Sequence, residues 1–276
     1  MKTIALFGAA GSMGTRAGKA LGGDPAYRVL HVESGPGVQK LADRGLTAIS
    51  TEEACPQADV VILAVPDELI GKVAHEVVPR VRPGTLVICL DAAAPYAGRL
   101  PKRADVAYFV THPAHPPVFN DEQSMEARRD FFGGGLAKQA IVSALMQGTE
   151  EDYRLGEEIG RKMFGPILRS HRVTVEQMAL LEPVLSETVA ATCLSLVREA
   201  MDEVVARGVP AEAARDFLLG HLNVELAILF NEIQWKFSAG CLQAIDEAKP
   251  VLFKPDWKRV FDPDQLAASC RRITGG

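Results

Sequence analysis

The chain lacks several features that would place it in a specialised class. It has no lysine- or arginine-rich run and a formal net charge of −5, so nucleic acid or an anionic membrane is not an expected partner. No apolar run reaches the roughly 18 to 20 residues of a membrane-spanning helix. Glycines interrupt the apolar stretch near the N-terminus, so a secretory signal is not expected.

Cysteine usage also excludes a disulfide scaffold. The five cysteines are scattered, odd in number and form no Cys-x-x-Cys pair. This usage favours reduced thiols and a cytoplasmic location. With 47% hydrophobic and 24% charged residues, the composition is that of a globular protein, and 276 residues are enough for two domains.

The feature that organises the chain is a glycine-rich corner near its start. The segment I-A-L-F-G-A-A-G-S-M-G is an apolar, strand-like run that ends in three glycines before a helical pattern. Glycines allow a tight turn and a close approach of pyrophosphate, and the helix N-terminus offers free N–H donors. Three close glycines are also ordinary turn chemistry, so the context decides. We predict dinucleotide contacts from Gly8, Ala10, Gly11, Ser12, Met13 and Gly14.

An acidic residue at the end of the next apolar run specifies the cofactor. Residues 27–32 read Y-R-V-L-H-V and end at Glu33, about 20 positions beyond the glycines. A carboxylate there accepts hydrogen bonds from the adenosine ribose of NAD and repels the extra phosphate of NADP. We therefore predict NAD. The alternative is that Glu33 is a solvated turn carboxylate.

The first half of the chain alternates strands with helices. The continuous apolar run at 59–65 is typical of a central strand buried on both faces, and further strands are predicted at 85–90, 106–110 and 137–145. This pattern predicts an α/β fold with a Rossmann-type parallel sheet. Ligands bind at the carboxyl ends of such strands. Further cofactor contacts are therefore predicted from Val65, Pro66, Asp67 and Asp91.

The composition changes near Gly148, after which strand signals vanish. We predict an NAD-binding Rossmann domain over 1–148 and an all-α substrate and dimerisation domain over 149–276. A helical pattern from Thr174 to Gly208 predicts a long central helix, which Pro183 should kink. The apolar character of this helix motivates the prediction of a homodimer.

Two groups of residues could carry chemistry. His112 and His115 lie in T-H-P-A-H-P-P, a proline-stiffened loop after the 106–110 strand, and are candidates for ligand binding, metal ligation or proton transfer. Glu182 and Glu187 flank the predicted kink, and either could be a metal ligand or a general base. The alternatives are a structural role for one histidine and a salt-bridged helix carboxylate for each glutamate.

The combination of G-A-A-G-S-M-G, A-V-P-D and a long central helix resembles the β-hydroxyacid and 6-phosphogluconate dehydrogenase superfamily. The catalytic lysine usual in that superfamily has no counterpart near residues 174–191, where Glu182 and Glu187 lie instead. Oxidation with a lysine base is therefore not expected.

A closer resemblance covers nearly the whole chain. The segments T-H-P-A-H-P-P-V-F-N-D-E, A-K-Q-A-I-V-S-A-L-M-Q-G, R-V-T-V-E-Q-M-A-L-L-E-P-V-L-S-E-T-V-A-A-T and A-R-D-F-L-L-G-H-L-N-V-E-L-A resemble the D-apionate oxidoisomerase family. The resemblance implies an NAD-dependent enzyme that oxidises an alcohol of a branched sugar acid and rearranges its carbon skeleton to give 3-oxo-isoapionate.

Such a rearrangement develops charge on oxygen atoms that a divalent ion would stabilise as a Lewis acid. Our hypothesis is that His112 and Glu182 are metal ligands, with His115 or Glu187 as a further ligand or base. A simple NAD-dependent dehydrogenase of a 2- or 3-hydroxy acid is the alternative enzyme. A non-catalytic NAD sensor is a third reading, but it leaves the histidine loop and Glu182 unexplained.

Overall fold

A computed structural model describes residues 1–275 and contains one eight-stranded sheet. The strand order across the sheet is β3-β2-β1-β4-β5-β6-β7-β8. The strands are β1 (Lys2–Phe7), β2 (Tyr27–Val32), β3 (Ala48–Ile49), β4 (Val60–Leu63), β5 (Leu86–Cys89), β6 (Ala107–Pro113), β7 (Gln139–Gln147) and β8 (Ile167–Arg172).

Helices connect the strands and form most of the C-terminal half. They are α1 (Ser12–Gly22), α2 (Pro36–Ala42), α3 (Thr51–Ala54), α4 (Asp67–Val77), α5 (Ala93–Tyr96), α6 (Met125–Arg128), α7 (Glu150–Phe164), α8 (Val175–Ala179), α9 (Thr192–Ala206), α10 (Ala211–Leu229), α11 (Ala239–Leu252) and α12 (Pro263–Ile273). A π-helical segment, Leu180–Ala191, joins α8 to α9.

The six strands from β3 to β6 are parallel to their neighbours, which confirms the predicted Rossmann-type sheet. The predicted strand at 137–145 is present as β7, but it pairs antiparallel to β6. The connection from β6 to β7 contains only the four-residue helix α6. Parallel neighbours are usually joined by a crossover helix that covers one face of the sheet, and α6 is too short for that role, so the chain returns in the opposite direction.

An eighth strand lies beyond the point where strands were expected to end. β8 follows α7 and pairs parallel to β7. Its sequence, I-L-R-S-H-R, has no fully buried residue and sits at the edge of the sheet. An edge strand with polar side chains has neither an apolar run nor a clear alternation, so the prediction that strands stop before Thr149 was wrong.

Two glycines are required by the close approach of β1, β4 and α1. Gly8 has φ +74°, and a Cβ there would lie 2.8 Å from the carbonyl carbon of Ala64. A Cβ on Gly14 would lie 2.7 Å from the Cα of Ala9. Both distances are shorter than a real carbon–carbon contact. The glycine spacing is therefore set by packing of backbone against backbone.

The chain divides into two compact units. The first contains residues 1–183 and returns at the C-terminus from Leu266, while the second contains residues 184–265. The first unit thus extends past Gly148 through α7 and β8 and includes α12 from Leu266 onward. The second unit contains helices only, within the part of the chain that the structure describes. The assignment of NAD binding, substrate binding and dimerisation to the two domains stays a prediction.

The long central helix is present, and it runs from Val175 to Ala206. Pro183 lies within its π-helical segment and has no N–H to donate to a helical hydrogen bond. This helix is long and apolar enough to cross a membrane by length and composition, contrary to the expectation that no segment would be. Only 11% of its most apolar window is buried in the structure.

Candidate active site

The carboxyl ends of β1, β4, β5 and β6 open into a cleft of about 370 Å³. Its walls combine the residues predicted to contact cofactor with those predicted to carry chemistry. It is lined by Gly11, Ser12, Met13, Leu63, Ala64, Val65, Pro66, Asp67, Ile70, Leu90, Asp91, His112, Pro113, His115, Phe132 and Glu182, all in the first compact unit.

The glycine corner leaves backbone donors facing this cleft. α1 begins at Ser12, and its N-cap residue Gly11 provides no side chain to satisfy the first N–H groups. Such an N-terminus binds anions through free N–H groups and the positive end of the helix dipole. The corner therefore has the structure expected for a pyrophosphate site.

Glu33 lies at the end of β2 and contacts the same corner. Its Oε1 accepts a hydrogen bond of 2.7 Å from the N–H of Ala10, and its Oε2 accepts one of 3.2 Å from Ser34. These bonds bring the carboxylate to the turn that the cofactor must approach. Its predicted contact with the ribose of NAD stays a prediction, as do all the other cofactor contacts predicted from the sequence, including those of Gly8, Ala10 and Gly14, which do not all line the cleft.

His112 and Glu182 contact each other in the cleft. The Nε2 atom of His112 lies 3.0 Å from Oε1 of Glu182, and both side chains are about one-fifth exposed (23% and 20%). His112 belongs to β6, which continues through Pro113, so its prediction as a loop residue was wrong. A strand fixes the imidazole more firmly than a loop does, and a π-helical segment presents the carboxylate.

Asp91 contacts Glu182 of this pair. The sequence did not predict that contact. The Asp91 side chain is 7% exposed, hydrogen-bonds to Glu182 and accepts a 2.6 Å bond from the N–H of Ala93. Burial, reinforced by the neighbouring Glu182 carboxylate, raises the pKa of Asp91 to about 8. The two carboxyl groups can therefore share a proton. Their separation along the chain left no spacing signal that would predict the contact.

His115 follows β6 in an unusual backbone conformation. Its φ is +59°, its Nδ1 lies 3.1 Å from the carbonyl oxygen of Phe132, and its ring centroid is 5.0 Å from that of Phe132. The rings of His112 and His115 are 6.0 Å apart. Burial lowers the pKa of His115, and the nearby His112 acts in the same direction. Phe132 was not predicted as a site residue.

The remaining predicted catalytic residue, Glu187, lies on the π-helical segment in the second unit and is exposed. Its catalytic role stays a prediction.

The donor atoms of the cleft are of kinds that bind divalent cations. Carboxylates are the preferred ligands of Mg²⁺, Ca²⁺ and Mn²⁺, whereas an imidazole is more usual for Zn²⁺ or Fe²⁺. Among residues 1–275, however, no group of three or more His, Cys, Asp or Glu side chains is arranged to hold a metal ion. The three side chains contact each other, so metal binding would require them to turn toward the ion.

Comparisons with known proteins place the chain in a family. Residues 3–94 match the family model "NADP oxidoreductase coenzyme F420-dependent", and residues 120–274 match "Phosphogluconate dehydrogenase (decarboxylating) C-term". A D-apionate oxidoisomerase from Cupriavidus necator is 59% identical over 98% of this chain and 99% of its own length. The chain belongs to the D-apionate oxidoisomerase family.

Other members extend this assignment. A D-apionate oxidoisomerase from Rhizobium rhizogenes is 58% identical over 99% of this chain and its full length. One from Pectobacterium atrosepticum is 39% identical over 96% of this chain and 93% of its own. The predicted family and the predicted superfamily are thereby confirmed.

Solved structures confirm the fold. One, described as a semialdehyde dehydrogenase NAD-binding protein from Cupriavidus necator in complex with calcium and NAD, is 58% identical. It covers 99% of this chain and 100% of its own, with a TM-score of 0.96. An NADH-preferring ketol-acid reductoisomerase from an uncultured archean, at 17% identity and a TM-score of 0.69, shares the fold and covers 100% of this chain and 82% of its own.

Proposed function

We propose that this member of the family is an NAD-dependent oxidoisomerase that converts D-apionate to 3-oxo-isoapionate. The observation that carries the proposal is the shared cleft, in which the glycine corner lies beside His112, Glu182 and Asp91. The names of its close relatives and the NAD in one solved relative support the same substrate and cofactor.

The reaction has two stages whose atoms and electrons balance. In the first, a secondary alcohol loses its hydroxyl proton to a base and its hydride to the nicotinamide, which gives a ketone and NADH. In the second, the neighbouring tertiary alcohol loses a proton, and one carbon substituent migrates with its bonding electrons to the ketone carbon. The former ketone oxygen then takes up a proton. The second stage is redox-neutral, so one NADH forms for each product molecule.

The His112–Glu182 pair is suited to the proton transfers. A carboxylate 3.0 Å from Nε2 orients the imidazole and stabilises its protonated form. Asp91 holds Glu182 from the other side and can share its proton. The buried position of this cluster limits access of water, which strengthens its interaction with a developing alkoxide.

In a second form of the proposal, His112 and Glu182 hold a divalent cation with Asp91 as a third ligand, and His115 rather than His112 accepts the proton. When bound, the ion would polarise the ketone and alkoxide oxygens as a Lewis acid. Its test is removal of metal with EDTA followed by gel filtration. We expect loss of turnover and recovery on adding Mg²⁺ or Mn²⁺. Full turnover of a metal-free enzyme, with metal content verified by mass spectrometry, would contradict this form of the proposal.

The catalytic assignment predicts a clear mutational result. His112→Asn and Glu182→Gln remove the proton acceptor and the group that orients it, so NADH formation from D-apionate should fall by about 10²- to 10⁴-fold. Binding of NAD, measured by isothermal titration calorimetry, should change little. His171→Asn, an exposed substitution on β8, is the matched control. Turnover near the wild-type rate in both variants would show that His112 and Glu182 do not take part in catalysis.

The same test separates enzyme from sensor. A protein that only senses NAD would bind the cofactor but form no NADH with any hydroxy acid.

We further propose a homodimer and a cytoplasmic location. The exposed apolar side chains of the second unit support the dimer, and five free cysteines support a reducing compartment.

A further inference from the structure

An arginine on α1, the helix whose N-terminus forms the candidate pyrophosphate site, makes contacts that have no part in binding phosphate. Arg16 lies on α1 and is half-buried. Its Nη1 donates to the carbonyl oxygen of Phe132 over 3.3 Å, and its Nη2 donates to that of Phe164 over 3.2 Å. The guanidinium carbon also lies 5.2 Å from the centroid of the Phe164 ring. These contacts join α1 to the segment that carries Phe132.

The Phe132 carbonyl has a second partner, His115. The distance from that oxygen to Nδ1 of His115 is 3.1 Å. A carbonyl oxygen can only accept a hydrogen bond, so Nδ1 must carry the proton. The neutral ring then has its lone pair on Nε2, because the partner of one ring nitrogen fixes the role of the other. His115 lines the cleft, so this fixes a proton-accepting nitrogen at the site.

His115 needs such support because its backbone is strained. A φ of +59° is uncommon for a residue other than glycine and persists only where the surroundings enforce it. Phe132 supplies this support through its carbonyl oxygen and through its ring. The position of His115 therefore depends on the position of Phe132.

The segment around Phe132 is anchored at Asp130 and by Arg16. The carboxylate of Asp130 accepts hydrogen bonds from the N–H groups of Gly134, Leu136 and Ala137. Asp130 is also attracted to the Arg16 cation. Phe132 itself remains 54% exposed, so packing alone does not hold it. Its carbonyl is fixed toward α1 by Arg16.

We propose that Arg16 is a positioning residue that acts through the Phe132 carbonyl to hold His115 in its Nδ1–H form, with Nε2 available in the cleft. The proposal rests on the proposed function in one respect, namely that His115 takes part in proton transfer. The tautomer and the ring position are claims about the protein alone.

The test compares Arg16→Met and Arg16→Lys with Arg154→Met, an exposed arginine on α7 as the matched control. Three quantities are measured: kcat with D-apionate, Kd for NAD, and the ¹⁵N NMR signals of the histidine rings, with His115 assigned from the spectrum of His115→Asn. For Arg16→Met we expect the Nδ1–H signature of His115 to be lost. Its kcat should fall about 10- to 100-fold, as when other partners of a functional imidazole are removed. The Kd for NAD should stay unchanged, and Arg16→Lys should recover part of both losses.

Two results would overturn the proposal. One is an unchanged His115 signature in Arg16→Met, and the other is a weaker Kd for NAD that accounts for the whole loss of activity. If Arg16→Met does not fold, the same measurements on Arg16→Lys test the proposal. We expect partial losses there, because one ammonium group cannot donate to two carbonyls as the planar guanidinium does. If the wild-type protein does not turn over D-apionate, the proposed function fails, while the NMR signature still decides the claim about Arg16.

Discussion

Among single residues, the sequence predicted several that line the cleft but not how those from distant segments contact one another. Gly11, Ser12 and Met13 were predicted from local spacing, and they line the cleft. Asp91 was assigned to the cofactor, but its closest chemical partner is Glu182. Local spacing reflects how one turn is built. Contacts between distant segments depend on tertiary packing, which no motif in this chain encodes.

Gly37 determines where the Glu33 carboxylate can lie. A Cβ at position 37 would be 2.7 Å from Cδ of Glu33, so a side chain there must displace the carboxyl group. We predict that Gly37→Ala moves Glu33 away from Ala10. Its binding of NAD should weaken about tenfold, a loss of about 1.4 kcal/mol, and its discrimination against NADP should decrease.

The measurement is titration of both cofactors by calorimetry. Gly22→Ala, where nothing lies within 4 Å of the added carbon, serves as the control. An unchanged ratio of NAD to NADP affinity in Gly37→Ala would show that Glu33 does not set cofactor choice.

At the scale of elements, apolar strands were predictable and polar or irregular ones were not. β4 and β5 are completely buried, and their continuous apolar runs identified them. β8 was missed because an edge strand with two arginines and a histidine gives no such signal. The π-helical turns around Pro183 were not predicted either, and the kink expected there stays a prediction. Proline predicts a local change of hydrogen bonding, but not whether the chain kinks or adopts π-helical turns.

The second unit predicts association between copies of the chain. Large apolar side chains on its helices are exposed, among them Leu194 on α9 (59%) and Phe217 on α10 (70%). Exposed apolar area of this extent is usual for an interface. We predict that the protein sediments as a dimer and that Leu194→Glu shifts it toward monomer. Val118→Glu, in the first unit and 71% exposed, should remain dimeric. A monomeric wild-type protein at micromolar concentration would refute the dimer.

At the scale of the whole molecule, fold and family were predictable from the sequence. The family was predicted from long segments that resemble those of its members, and relatives that match over their full length confirm it. The fold was predicted from the glycine corner and from the alternation of strands with helices, and the solved relative confirms it. Individual catalytic roles stay predictions, because they depend on which side chains the fold brings together at the carboxyl ends of the strands.

In the proposed reaction, oxidation of the substrate and rearrangement of its carbon skeleton both take place in one cleft. The most direct measurement is a ¹³C NMR spectrum of the product formed from labelled D-apionate and NAD, with NADH followed by absorbance. We expect one NADH per product molecule and a rearranged 3-oxo skeleton. NADH with an unrearranged keto acid would contradict it and indicate a simple dehydrogenase.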